Sequence, residues 1–126
     1  MPKLTSVGLF FIVVTILFTV VGQLLVKKGV SQIGPSPAQL ALIPGFVFAV
    51  FVNPYVIGGL FCAVGAAITW SIAVSRVALS VAYPFQALAI VLVLVLSSFI
   101  FDEAVPRGRW LGMLIVYVGV VVAARA

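Results

Sequence analysis

A chain of 126 residues in which 65% of the side chains are hydrophobic and only 7% charged cannot cover itself in water, where a soluble domain carries about 25% charged residues. Nor does the formal charge of +5 point to nucleic acid, because the basic residues Lys3, Lys27, Lys28, Arg76, Arg107, Arg109 and Arg125 are scattered at or near the ends of apolar runs, where headgroup anchors sit. The chain contains no His, which excludes histidine-based acid–base chemistry and histidine metal sites. With no nucleophile, base and metal set visible, it reads as a non-enzyme without metal or cofactor.

A bilayer core about 30 Å thick takes roughly 20 helical residues, and four stretches meet or approach that length. The first runs from about Leu4 to Val26. It is too long for the apolar region of a signal peptide and ends in Gln23-Leu24-Leu25-Val26-Lys27-Lys28 without a small-residue cleavage site, so it reads as a retained helix. Next comes Ala38 to Val52, 15 apolar residues broken by Pro44-Gly45 and fenced by Pro35, Pro37 and Pro54. That length suits an interfacial or re-entrant helix, the alternative being a strained fifth span that places the chain ends on opposite sides.

The second long helix is expected over Pro54 to about Ser75, with Pro54 in its first turn behind Asn53 as cap. The third runs from about Ser80 to Phe101. A polar, proline-containing turn over Asp102 to Arg109 leads into the fourth, from about Gly108 to Ala124. The expected fold is an all-α polytopic membrane protein, one domain over residues 1–126, with four spans plus a short helix between the first and second. Lys3, Arg76 and Arg125 then fall on one side of the membrane and Lys27, Lys28, Arg107 and Arg109 on the other, a nearly even division that sets no firm orientation.

In the first helix Thr15, Thr19, Gln23 and Lys27 recur every four residues and share a face, with Gly8 and Gly22 nearby. An amide such as Gln23 is costly in hydrocarbon unless it finds a partner, so this face meets another helix or water. Interhelical hydrogen bonding and the lining of a substrate path both fit. The third helix carries a second stripe through Tyr83, Gln86, Ile90 and Ser97, and Tyr83-Pro84 removes a backbone bond near its start. The two stripes, each with one Gln, are placed to face one another.

Gly58, Cys62, Gly65 and Thr69 give the second helix a small-residue face, which Arg76 continues at the membrane boundary. Arg76 and Trp70 also suit interfacial anchoring, and Cys62, lacking a disulfide partner in the chain, suits packing. Gly108, Gly112 and Gly119 form a smooth groove on the fourth helix, whose commonest use is helix–helix contact, here between subunits. No Asp, Glu, Lys or Arg lies in the spans away from their ends, which argues against proton-coupled or cation transport through a buried acid. Asp102 and Glu103 are expected to pair with Arg107 or Arg109.

With these faces located, the chain resembles the small four-helix branch of the drug/metabolite transporter superfamily, the EamA-like and small multidrug resistance proteins. The resemblance rests on Gly22-Gln23-Leu24 with Lys27, on Ser75-Arg76-Val77-Ala78-Leu79-Ser80-Val81-Ala82-Tyr83-Pro84, on Asp102-Glu103, and on Arg109-Trp110-Leu111-Gly112. It covers the four long helices and omits Ser31 to Val52. Small multidrug resistance proteins are antiparallel dimers that exchange protons for cationic drugs through a membrane-embedded Glu. Alignment on Gly22 puts Thr19 there, and threonine cannot titrate.

The chain is more similar to flippase subunits for aminoarabinose-phosphoundecaprenol in the bacterial inner membrane. These share Gly-Gln-Leu, Ala-Tyr-Pro and the acidic turn, and lack the embedded acid. The resemblance implies a lipid-linked sugar as substrate, membrane lipids as surroundings, and a homodimer or a heterodimer with a similar small subunit. Thr15, Thr19, Gln23, Tyr83 and Gln86 would supply hydroxyls and amides to the sugar headgroup, with Arg76 and Glu103 as further candidate substrate-binding residues. Lys27, Lys28, Arg107 and Arg109, expected on one face of the membrane, would hold the phosphate at one end of the path, attraction to anionic headgroups being the other reading of that cluster. Two rival readings remain: a small-molecule or cation exporter, and a non-transporting partner subunit of a membrane enzyme.

Overall fold

The structure, a computed structural model, describes residues 6–126. Its elements are α1 (Ser6–Ile33), a 3-10 turn (Leu40–Leu42), α2 (Ile43–Val52), α3 (Pro54–Arg76), α4 (Leu79–Ile100) and α5 (Arg107–Arg125). α1, α3, α4 and α5 are long and apolar enough to cross a membrane. They place the expected four spans in the expected order, and Lys3 and the expected start of the first helix at Leu4 lie outside the described residues.

One boundary differs substantially from expectation. α1 does not stop at Val26 but continues through both lysines to Ile33, giving a helix of 28 residues. Lysine is a good helix former, and nothing in Lys27-Lys28-Gly29-Val30 breaks the ladder. The break comes at Gly34, whose φ of +101° suits glycine, with Pro35 behind it. At 1.5 Å per residue the helix is about 42 Å long, more than a hydrocarbon core, so its last turns reach the headgroup zone.

The short segment is helical from Leu40 to Val52, about 20 Å at the same rise. It is too short to cross and has no buried residue. Asn53 separates it from α3 by an extended backbone and caps α3, accepting from the backbone N–H of Tyr55 at 2.9 Å and of Val56 at 3.4 Å. Pro54 follows in the first turn, where its missing N–H costs nothing.

α1 and α3 form the closest pair. Gly22 and Gly59 face each other so tightly that a Cβ on Gly59 would sit 2.8 Å from the Gly22 carbonyl oxygen and 2.6 Å from Val26 Cγ2. Phe18 lies over Gly65, and a Cβ on Gly22 would meet that of Cys62 at 3.1 Å. The small-residue face expected on this helix is thus in use, although Gly59 rather than Gly58 makes the nearest approach. Ile12, Ile16 and Val20, on one stripe of α1, join Ala73, Val77, Ala82 and Ala89 in a core shared by α1, α3 and α4.

α4 runs beside α1, and among the described residues α5 packs on α4 alone. Val120 is its one buried residue, and Leu111, Leu114, Ile115, Val118 and Val122 are exposed. No neighbour lies within 4 Å of a Cβ built on Gly108, Gly112 or Gly119. Outward-facing apolar side chains of this kind suit lipid or a second membrane helix.

Candidate functional site

Three hydroxyl or amide side chains predicted from spacing converge where α1 meets α4. Thr19 and Gln23 of α1, with Gln86, Ala89, Ile90 and Val93 of α4, line a groove of about 310 Å³. Part of each polar stripe, Thr19 and Gln23 on one and Gln86 and Ile90 on the other, therefore meets across this seam. On its other flank the same Thr19 and Gln23 line a second hollow of about 350 Å³ toward α3, completed by Phe18, Gly22, Val26, Gly59, Leu60, Ala63 and Ala66. A narrow edge of α1 thus presents one hydroxyl and one amide to both sides. Neither lining contains an ionised group, so the arrangement can offer hydrogen bonds to hydroxyls or amines but cannot exchange a proton through a carboxylate.

Thr15 has a different position. It is 2% exposed, and its hydroxyl donates to the Phe11 carbonyl at 2.7 Å and shares a 2.7 Å contact with the Thr69 hydroxyl on α3. Thr69 is also bonded to its own helix, at the Gly65 and Ala66 carbonyls. Of the two readings left open for the threonine stripe, Thr15 takes the first and ties α1 to α3. Thr19 donates to the Thr15 carbonyl at 2.8 Å, which satisfies its proton while its oxygen can still accept at the groove.

Tyr83 is 62% exposed and meets Trp70 edge to face, with ring centroids 5.9 Å apart. It lies one turn before Gln86 but outside the residues lining the groove. Trp70 packs against the core and, through Tyr83, bridges α3 and α4. Arg76 is exposed at the end of α3, the opposite end of the bundle from Lys27 by the alternating run of the helices.

At the Lys27 end the expected ion pairing needs correction. Glu103 does not pair with Arg107 or Arg109; its Oε1 lies 3.8 Å from Lys27 Nζ, with side-chain exposures of 42% and 55%. The cause is local backbone geometry. Asp102 sits in the left-handed region at φ 53°, one of the few non-glycine types that tolerates it, and this turns the chain at the end of α4. Glu103 is thereby brought to α1 while Arg107 and Arg109 go into the exposed first turn of α5.

Two contacts here were not read from the sequence. Lys28 stands over the Tyr55 ring, 4.7 Å from its centroid, and Asn53 Nδ2 donates to Gln32 Oε1 at 3.2 Å. Both depend on α1 continuing past Val26. The signal that could have found them is the unbroken helix-forming stretch up to Gly34.

No family model matches the chain, and no solved structure matches it significantly. It is similar to curated bacterial proteins named "probable 4-amino-4-deoxy-L-arabinose-phosphoundecaprenol flippase subunit ArnE". Against that of Pseudomonas aeruginosa strain UCBPP-PA14 it is 40% identical over 57 residues, 45% of this chain and 50% of the relative. Against that of Pseudomonas fluorescens strain Pf0-1 it is 32% identical over 68 residues, 54% of this chain and 60% of the relative. The Pseudomonas paraeruginosa protein is 39% identical over 56 residues, 44% of this chain and 49% of the relative. The chain thus spans about half the length of the curated relatives it matches.

Proposed function

We propose that this chain is a subunit of a bacterial inner-membrane flippase that carries a polyprenyl-phosphate-linked sugar across the bilayer, and is not an enzyme. The observation that carries this reading is the groove between α1 and α4, which pairs Thr19 and Gln23 with Gln86 and has no ionised side chain along it. A polyprenyl tail can remain in lipid while the polar head crosses, so the protein has only to supply hydrogen bonds along a groove open sideways to the membrane. The similarity of half the chain to proteins named as flippase subunits agrees with this mechanism.

In this reading Thr19, Gln23 and Gln86 hold the sugar hydroxyls. Thr15 keeps α1 seated against α3. Tyr83, one turn before Gln86, offers its hydroxyl at the groove's far end, toward Arg76. Lys27, assisted by Arg107, takes the phosphate at the other end. The exposed glycine face of α5, through Gly108, Gly112 and Gly119, receives a second copy or a similar small subunit. The short helix over residues 40–52 lies in the headgroup zone beside the ends of α1 and α3.

The test is transport of a fluorescent polyprenyl-phosphate sugar across reconstituted liposomes, with and without a second small subunit. Gln23→Leu combined with Gln86→Leu removes two hydrogen-bonding partners worth about 1 kcal/mol each, so flipping is expected to fall roughly ten-fold or more. Unchanged transport in that double variant would refute the polar groove. Transport of amphipathic cations in place of the lipid would favour the exporter reading.

A further inference from the structure

Polar side chains join α1 to its two long neighbours in different ways. To α3 it is fastened by the Thr15–Thr69 contact, by Asn53 reaching Gln32 from the start of that helix, and by the Gly22–Gly59 approach. Toward α4, core residues Ile12, Ile16 and Val20 meet Ala82 and Ala89 without a hydrogen bond among the described residues. One polar tie completes that seam, the 3.8 Å pair between Lys27 and Glu103. Lys27 is one turn beyond Gln23 on the face that lines the groove, and Glu103 hangs from the end of α4. The pair therefore closes, at one end, the two helices whose facing surfaces make the groove.

We propose that the Lys27–Glu103 pair is a displaceable latch on the α1–α4 seam, in which a phosphate group takes the place of the Glu103 carboxylate on the Lys27 ammonium. The proposal rests on reading the groove as the site of a phosphate-linked headgroup. A long pair with both partners about half exposed is worth a factor of only about two to five. Phosphate carries the same sign of charge with more acceptor oxygens, so it competes for the same cation. Lys28 is engaged by the Tyr55 ring and Arg107 lies on α5, which leaves Lys27 as the α1 cation facing the seam. Once Glu103 is released, only apolar contacts among the described residues hold α4, with α5 packed on it, to the α1–α3 pair: Ile12, Ile16 and Val20 against Ala82 and Ala89, and the Trp70–Tyr83 ring contact. The Lys27 end of the seam then opens by a local shift.

The experiment uses the full chain in lipid nanodiscs with Cys62→Ala and spin labels at Ser31→Cys and Ala104→Cys, one on each side of the latch. The distance between the labels is measured with polyprenyl phosphate, with neutral polyprenol and with inorganic phosphate. Polyprenyl phosphate is expected to lengthen it and polyprenol to leave it unchanged. Lengthening by inorganic phosphate alone also supports the latch and assigns the anion as free phosphate; a response confined to the lipid assigns it as a headgroup.

Two variants separate a latch from a merely structural pair. Both Glu103→Gln and Lys27→Gln should raise the long-distance population about two- to five-fold without ligand. Their affinities for polyprenyl phosphate should then move in opposite directions, about three-fold tighter for Glu103→Gln, which loses the competitor, and roughly ten-fold weaker for Lys27→Gln, which loses the cation. A shift of both affinities in the same direction, or opening by polyprenol, would overturn the proposal. Flipping that is indifferent to Glu103→Gln but falls with Lys27→Gln would also overturn it while leaving the flippase reading, in which Lys27 takes the phosphate, intact. Latch behaviour without any flipping would do the reverse.

Discussion

Thr15, Thr19 and Gln23 occupy successive turns of one stripe, yet their environments assign them different work. Thr15 is inside the α1–α3 contact, whereas Thr19 and Gln23 stand on the edge between two grooves. Spacing put all three on one face but could not divide it, because a helical face is wide enough to meet two neighbours at once. The same limit applies to the glycines: Gly58 lies on the small-residue stripe with Cys62 and Gly65, but Gly59 takes the closest contact. A Cβ at Gly59 would overlap a backbone carbonyl and a valine methyl. Gly59→Ala should therefore cost about 1–2 kcal/mol, the overpacking penalty exceeding the gain in helix propensity. Gly112→Ala, where space is open, should leave the monomer as stable or slightly more so. Thermal unfolding of the two variants in detergent checks the contrast, and equal behaviour would contradict the packing described.

The elements themselves were legible wherever a breaker or a cap marks their ends. Pro54 behind Asn53 gave the start of α3, and the polar turn with Pro106 gave the start of α5. α1 overran its expected end because two lysines look like the edge of a membrane span, although they are no obstacle to a helix. The hydrophobic run ends there, but hydrogen bonding does not. That overrun carries Gln32 to Asn53 and Lys28 to Tyr55, contacts that sit where the short helix meets α3. Asn53 serves both the cap of α3 and the tie to Gln32, so Asn53→Ala is expected to destabilise by about 1–2 kcal/mol. Amide exchange in the first turn of α3 should rise with it. A change confined to the residue 40–52 helix would argue that the cap contributes nothing.

At the scale of the molecule, four long apolar helices alternate direction, so the ends bearing Lys27, Lys28, Arg107 and Arg109 gather on one side, as the count of four spans indicated. Which neighbour each helix chooses was less legible: small residues signalled the tight α1–α3 pair, but the glycines of α5 named no partner within the chain, and its attachment to α4 alone among the described residues had no sequence signal. The candidate site emerged in outline, since Thr19, Gln23 and Gln86 meet in one groove, while Tyr83 stands beside Trp70. Ion pairing was misplaced because the left-handed turn at Asp102 depends on backbone conformation. In the proposed function a polar headgroup travels along the α1–α4 groove. That path is tested most directly by photo-crosslinking with a polyprenyl-phosphate sugar that carries a diazirine on the sugar, followed by mapping of the labelled peptides. Label should fall on α1 around Thr19 to Gln23 and on α4 around Gln86 to Val93, and be lost with the Gln23→Leu, Gln86→Leu double variant. Label confined to α5 or to the helix over residues 40–52, unchanged by that variant, would contradict it.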